Sequence, residues 1–173
     1  MFEAGKDAVH YSATFDLTPR APQTGIVAQA PTLPQIKQFQ DLVGSVEQVE
    51  LPVEHYFAPG QYVRRCHIPA ETFVVGKMHR HEHVVMLIKG EVTILTDKGM
   101  ERIKAPHVWI SKPGAKRPLF THSDCEFATV HSTSETDLDA LEAELIVPES
   151  EIDYAEPAKE LPDFSNEIQG MYA

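Results

Sequence analysis

This sequence predicts a mainly β chain built around one small barrel, with a short helix before it, a second helix after it and extended terminal arms. Three observations carry that reading. From about Tyr62 to Ser132, short apolar or alternating runs recur, separated by turn residues. Outside that region, two segments repeat their apolar residues at helical spacing. A length of 173 residues with 42% hydrophobic content gives room for one domain with its own core, plus appendages. The expected divisions are 1–54 for an extended arm carrying the first helix, 55–133 for the barrel, and 134–173 for the second helix and an acidic tail.

Residues 1–34 show no sustained periodicity and carry Pro19, Pro22, Pro31 and Pro34, so they read as an extended arm. The spacing of Ile36, Phe39 and Val43 predicts a helix over 34–43, with Pro34 in its first turn and Gly44 as its stop. Strands are expected at Gln61–His67, Thr72–Val75, His83–Ile88, Val92–Thr96, Met100–Lys104, His107–Ile110 and Glu126–His131. Gly90 and the run Asp97-Lys98-Gly99 supply turns between them. Leu138, Leu141 and Leu145 make one stripe of a second helix that Ser134 or Thr136 can cap and Val147-Pro148 ends. The acidic remainder carries Tyr154, Leu161, Phe164, Ile168 and Met171 as apolar anchors.

Composition excludes several classes of function. A net charge of −11 argues against phosphate-backbone binding, which needs clustered Lys and Arg, so no nucleic-acid partner is expected. No apolar run approaches the ~20 residues that cross a bilayer, and the first residues lack the basic and apolar regions of a signal peptide. From Glu142 to Glu167 there are nine acids and one base, Lys159, which reads as a solvated tail or a docking strip for a basic partner. Cys66 and Cys125 fall in expected strands and read as buried thiols, with their neighbours His67 and His122 as the argument for ligation instead. Trp109 reads as core. Lys116-Arg117 after Pro113-Gly114 makes either a solvated turn or a small anion-binding corner.

The densest chemistry is His79-Arg80-His81-Glu82-His83, directly ahead of an apolar strand. In an extended chain successive side chains alternate between faces, so His79, His81 and His83 share one face and Arg80 and Glu82 the other. Imidazole is a frequent ligand for transition metals. In a straight strand, however, residues 79 and 83 are ~13 Å apart at ~3.3 Å per residue, while a His-bound metal sits ~2.0–2.1 Å from the ring nitrogen. All three converge on one ion only if the strand bends or bulges; two of them plus a donor from elsewhere, among His122, His131 and His67, is the easier arrangement. The other reading is a polar cavity or an oligomer interface without metal. Glu82 points away from the histidine face, which leaves catalysis without an obvious acid or base.

The stretch from about 60 to 132 resembles the cupin superfamily, whose first motif is Gly, five residues, His-x-His, three or four residues, Glu, six residues, Gly. Gly90 fits the final glycine and Leu87-Ile88-Lys89-Gly90-Glu91-Val92 the strand–turn–strand signature. Counting back, His83 stands where the family has its Glu ligand, and His79 matches the second histidine with Lys77 at the first. With His79 and His81 as the pair instead, the Glu spacing is too short. Lys112-Pro113-Gly114-Ala115-Lys116-Arg117 resembles the second motif, with Arg117 at the fourth ligand position and His122 five residues on. The resemblance implies a single cupin-type double-stranded β-barrel, jelly-roll-like. It also implies a site for one divalent transition metal (Zn, Fe, Mn or Ni) drawn from His79, His81, His83 and His122.

A narrower likeness runs from His81 to Leu145. His81-Glu82-His83-Val84, Thr121-His122-Ser123-Asp124-Cys125 and Val130-His131-Ser132-Thr133-Ser134-Glu135-Thr136-Asp137-Leu138 are similar to small cupin-like proteins of tailed bacteriophages. That group has no settled enzymatic activity. The likeness implies an oligomeric structural or accessory component of a virion (head, neck or tail assembly), in the particle or the host cytoplasm. Its expected partners are copies of itself and, through the terminal arms, other phage structural proteins. The alternative is a metal-dependent cupin enzyme or small-molecule-binding protein acting in the infected cell.

Overall fold

A computed structural model describes residues 9–12, 30–96 and 99–155. Most of the expected N-terminal arm, the Asp97-Lys98 turn and the tail beyond Ala155 lie outside the described residues. The described chain folds into ten strands, two α-helices and one short 3-10 turn. The strands are β1 (Val9–Ser12), β2 (Val53–Ala58), β3 (Gln61–Ile68), β4 (Thr72–Val75), β5 (His83–Lys89), β6 (Glu91–Thr96), β7 (Gly99–Lys104), β8 (His107–Ser111), β9 (Pro118–Thr121) and β10 (Cys125–His131). They form two five-stranded sheets, ordered β1-β4-β9-β6-β7 and β2-β3-β10-β5-β8, with every pairing antiparallel. From β3 to β10 the chain changes sheet at every connection except the β6–β7 hairpin. That order is the eight-stranded double-sheet jelly roll, the architecture cupins share.

Alternation along the strands fills the space between the sheets. Cys66, Ile68, Val85, Leu87 and Phe127 from the second sheet meet Val74, Val92, Ile94 and Leu119 from the first in one buried cluster. Cys66 and Cys125 are buried free thiols, as expected, and burial pushes both up. Gly90 holds φ at +94°, and a Cβ there would stand 2.5 Å from the Asp124 carbonyl oxygen and 2.6 Å from Cys125 Sγ. The β5–β6 turn can therefore carry only glycine.

Helix α1 (Leu33–Gly44) covers the outer side of the first sheet: Ile36 packs on Val75 and Leu95, and the Phe39 ring meets Phe73 edge-on at 5.5 Å. The expected helix over 34–43 is thus found, with Gly44 as its last residue rather than its stop. Helix α2 (Leu138–Leu145) begins later than expected. Glu135 turns the chain on itself by accepting from the Thr136 and Asp137 N–H groups at 2.7 and 2.9 Å, so neither Ser134 nor Thr136 reaches the helix end. Asp137 caps it instead, its carboxylate accepting from Ala140 N–H at 3.0 Å. Strands β1, β2 and β9 have no counterpart among the expected strands; β1 lies in the expected arm and pairs with β4. All four β9 residues are buried, so no alternation marks it, and it opens on a proline. No helix among the described residues is long and apolar enough to cross a membrane.

Candidate metal centre

At one end of the second sheet its inner face carries a row of polar rings. His83 opens β5 and His131 closes β10, one step beyond the antiparallel Val84–Val130 pair. Both lie on the same face as buried Val85, Leu87 and Phe127, and both are buried themselves. Cross-strand neighbours on one face stand close enough for their side chains to meet, and these two ring centroids are 4.7 Å apart.

His79 joins them from the loop between β4 and β5. Residues 80–82 bend instead of extending, and this places the His79 ring 4.1 Å from His83 and 5.2 Å from His131. The segment after α2 fixes the bend: His79 bridges Ile146, Arg80 N–H donates to the Leu145 carbonyl at 2.8 Å, and Val147 N–H donates to the Met78 carbonyl at 2.9 Å. One ring nitrogen from each of the three histidines lies within 4.8 Å of the others. A tetrahedral ion bound at ~2.0–2.1 Å would space three nitrogens by about 3.3 Å, so binding would draw the rings together.

Each ring is oriented by a second contact. His83 Nδ1 lies 3.1 Å from the His81 carbonyl oxygen, and His131 Nε2 lies 3.0 Å from Thr129 Oγ1. The Lys77 backbone takes a hydrogen bond from the His79 ring. Tying one nitrogen to a protein oxygen sets the tautomer and turns the other outward as a ligand. Burial keeps all three neutral. It holds His79 down to about 3, helped by His83, His131 and Arg64, and His131 down to about 4, helped by His83 and Arg64. His83 is lowered by burial and, more weakly, by Arg117, against its bond to the His81 carbonyl. Neutral imidazole is the form that binds metal.

The expected set of His79, His81, His83 and His122 is therefore divided. His79 and His83 converge, whereas the bend at 80–82 sends His81 to the surface, where only its carbonyl serves the site. His122 sits after β9 on the other sheet, its Nε2 at 2.7 Å from Thr93 Oγ1 and its ring edge-on to Phe120. His67 faces Glu54 and Glu126. Of the further donors considered from sequence, His131 completes the group. Strand alternation carried that signal, since Cys125, Phe127, Thr129 and His131 share the inner face. Glu82 is exposed and paired with Lys112, so the acid nearest in sequence plays no part in the cluster.

Tyr62 roofs the row, with its ring stacked 5.8 Å from His131 and its oxygen 2.7 Å from His55 Nδ1. Leu141 and Leu145 of α2 bury Tyr62 in turn. Ion pairs Lys77–Glu142, Arg80–Glu151 and Lys116–Glu149 hold α2 and the segment behind it onto this end. Lys116 is buried in that pairing, so the corner at Lys116-Arg117 is structural on its lysine side. At the β7–β8 side a cavity of about 220 Å³ opens between Ile94, Ile103, Trp109, Glu101, His107 and Arg117.

The fold and the site together define a jelly-roll barrel with an inward-facing histidine triad. Similar solved structures include an acetylacetone dioxygenase from Acinetobacter johnsonii (15% identity over 47% of this chain and 59% of that one, TM-score 0.41). Others are a predicted oxalate decarboxylase from Thermotoga maritima (18%, 50% and 84%, TM-score 0.42) and a cupin 2 conserved barrel domain protein from Salinispora arenicola (14%, 49% and 76%, TM-score 0.41). The chain thus spans less than two thirds of the dioxygenase. No family model matches the chain, and no curated protein does. The jelly-roll assignment rests on the strand order itself.

Proposed function

We propose that the barrel binds one divalent transition metal through His79, His83 and His131. The observation that carries this is the convergence of three neutral imidazoles, each with a ring hydrogen bond to a protein oxygen. An all-imidazole set suits Zn, Fe or Ni and disfavours Mn, which prefers carboxylate oxygen. Three ligands leave coordination positions open, where a bound metal supplies Lewis acidity. The chain's own residues orient the rings, and α2 with Tyr62 shields one side from water. Metal analysis of protein purified without chelator is expected to give close to one ion per chain. His83→Ala and His131→Ala should lose it, while His81→Ala and His122→Ala should keep it. Metal-free wild-type protein that takes up none of these ions on titration would end the proposal.

A second reading concerns the setting rather than the site. The likeness of His81–Leu145 to phage-encoded cupin-like proteins supports an oligomeric structural or accessory virion component, with the metal holding the barrel end together. An apolar outer sheet face also favours an assembly. Mass spectrometry of purified particles tests it, and absence from virions removes it. The alternative, a metal-dependent enzyme or binder of a small metabolite, draws its support from the open cavity beside Trp109 and Arg117.

A further inference from the structure

The two outer sheet faces of the barrel are treated differently. On the first sheet, α1 lies over Val75 and Leu95. On the second, the residues pointing away from the core are also apolar: Val84, Met86 and Ile88 on β5, Val108 and Ile110 on β8, and Val130 on β10. Nothing among the described residues covers them. Ile88 is 45% exposed, Val108 60% and Ile110 49%. An antiparallel sheet with one wet face normally alternates apolar-in and polar-out, and this one does not.

We infer that this face is where a second copy of the chain docks, sheet against sheet about a two-fold axis. This goes beyond the metal reading and does not depend on it. Charge singles out the occupant. The chain carries −11, so copies repel almost everywhere. Here the charges stand together at one end and neutralise one another, with Arg65 Nε on Glu126 at 2.7 Å and Arg65 Nη1 on Glu54 at 2.9 Å. A strongly basic or acidic partner finds nothing complementary to bind, whereas a second neutral apolar face does. Size agrees. Five strands ~4.8 Å apart, about six residues long at ~3.3 Å each, make a face of about 24 by 20 Å. With side-chain relief its accessible area approaches the ~800 Å² per partner of a standard interface. The described residues end beside α1, with the Tyr154 ring 5.9 Å from Lys37 Nζ and its hydroxyl donating to Glu149. That is the side of the other sheet.

Sedimentation equilibrium of the full chain is expected to give twice the 19.3 kDa of one chain. Val108→Lys and Ile110→Lys, both at exposed positions that a folded monomer tolerates, should each raise the dimer dissociation constant by on the order of 100-fold. Leu42→Lys and Met100→Lys, apolar and exposed elsewhere, should change it less than about threefold. Circular dichroism on each variant separates dissociation from unfolding. Ile88→Lys provides a third probe of the same face if either β8 variant unfolds. A monomeric wild-type chain, or a dimer broken by the control substitutions and not by the face substitutions, overturns the inference.

Discussion

Acidifying the metal-free protein from pH 7 to pH 5 should cost it much of its stability through two histidines. His79 titrates at about 3 and His131 at about 4 in the folded chain, against an ordinary value of 6.5. Both are lowered, so below pH 6.5 the unfolded chain binds more protons than the folded one, and stability falls as pH falls. The contribution is fully present above pH 6.5 and drains away between there and the folded values. At pH 5 each group has lost about 1.5 pH units of linkage, about 2 kcal/mol, hence about 4 kcal/mol for the pair. His83 shifts the same way and adds to the loss. Against a typical total of ~5–15 kcal/mol this is a large share. Urea unfolding of chelator-treated protein at the two pH values measures it, with the His79→Asn/His131→Asn double variant as reference. The reasoning is refuted if the wild type loses less than about 1 kcal/mol, or if the double variant loses as much as the wild type.

Two further perturbations test the local arguments. Gly90→Ala should destabilise by about 3–5 kcal/mol, combining the ~1–2 kcal/mol of a positive φ with the displacement of Asp124 and Cys125. Gly114→Ala, at φ +75° with open space around it, should cost only the first part, and equal costs in chemical unfolding would contradict the close-approach argument. Asp137→Ala should cost about 1 kcal/mol by removing the α2 cap, whereas Ser134→Ala should be near neutral; the reverse order would restore the cap expected from sequence.

The barrel was legible because its strands alternate. All seven expected strands lie within a residue of those found, and the turn at Gly90 could be read from composition alone. Strand β9 escaped for a physical reason: Pro118–Thr121 is buried on both faces, and a fully buried strand has no period to detect. The site was half legible. Alternation placed His79, His81 and His83 on one face, but that rule applies only to extended chain, and extension begins at His83. What bends residues 80–82 is a backbone pairing with Leu145, Ile146 and Val147, more than 60 positions away, and no local pattern reports it. His131 was visible as the inward end of its strand, yet its meeting with His83 depends on how β10 and β5 pair.

The bridge between His79 and Ile146 makes the two ends of the domain thermodynamic partners. The same main-chain contacts that aim the His79 ring also anchor the start of the segment behind α2. Whatever occupies the space between the rings gains from a docked α2, and by reciprocity a docked α2 is gained from that occupancy. A contact made far along the chain, on Glu142, Glu149 or Glu151, can therefore be felt as a change in affinity at the barrel's end without touching a ligand.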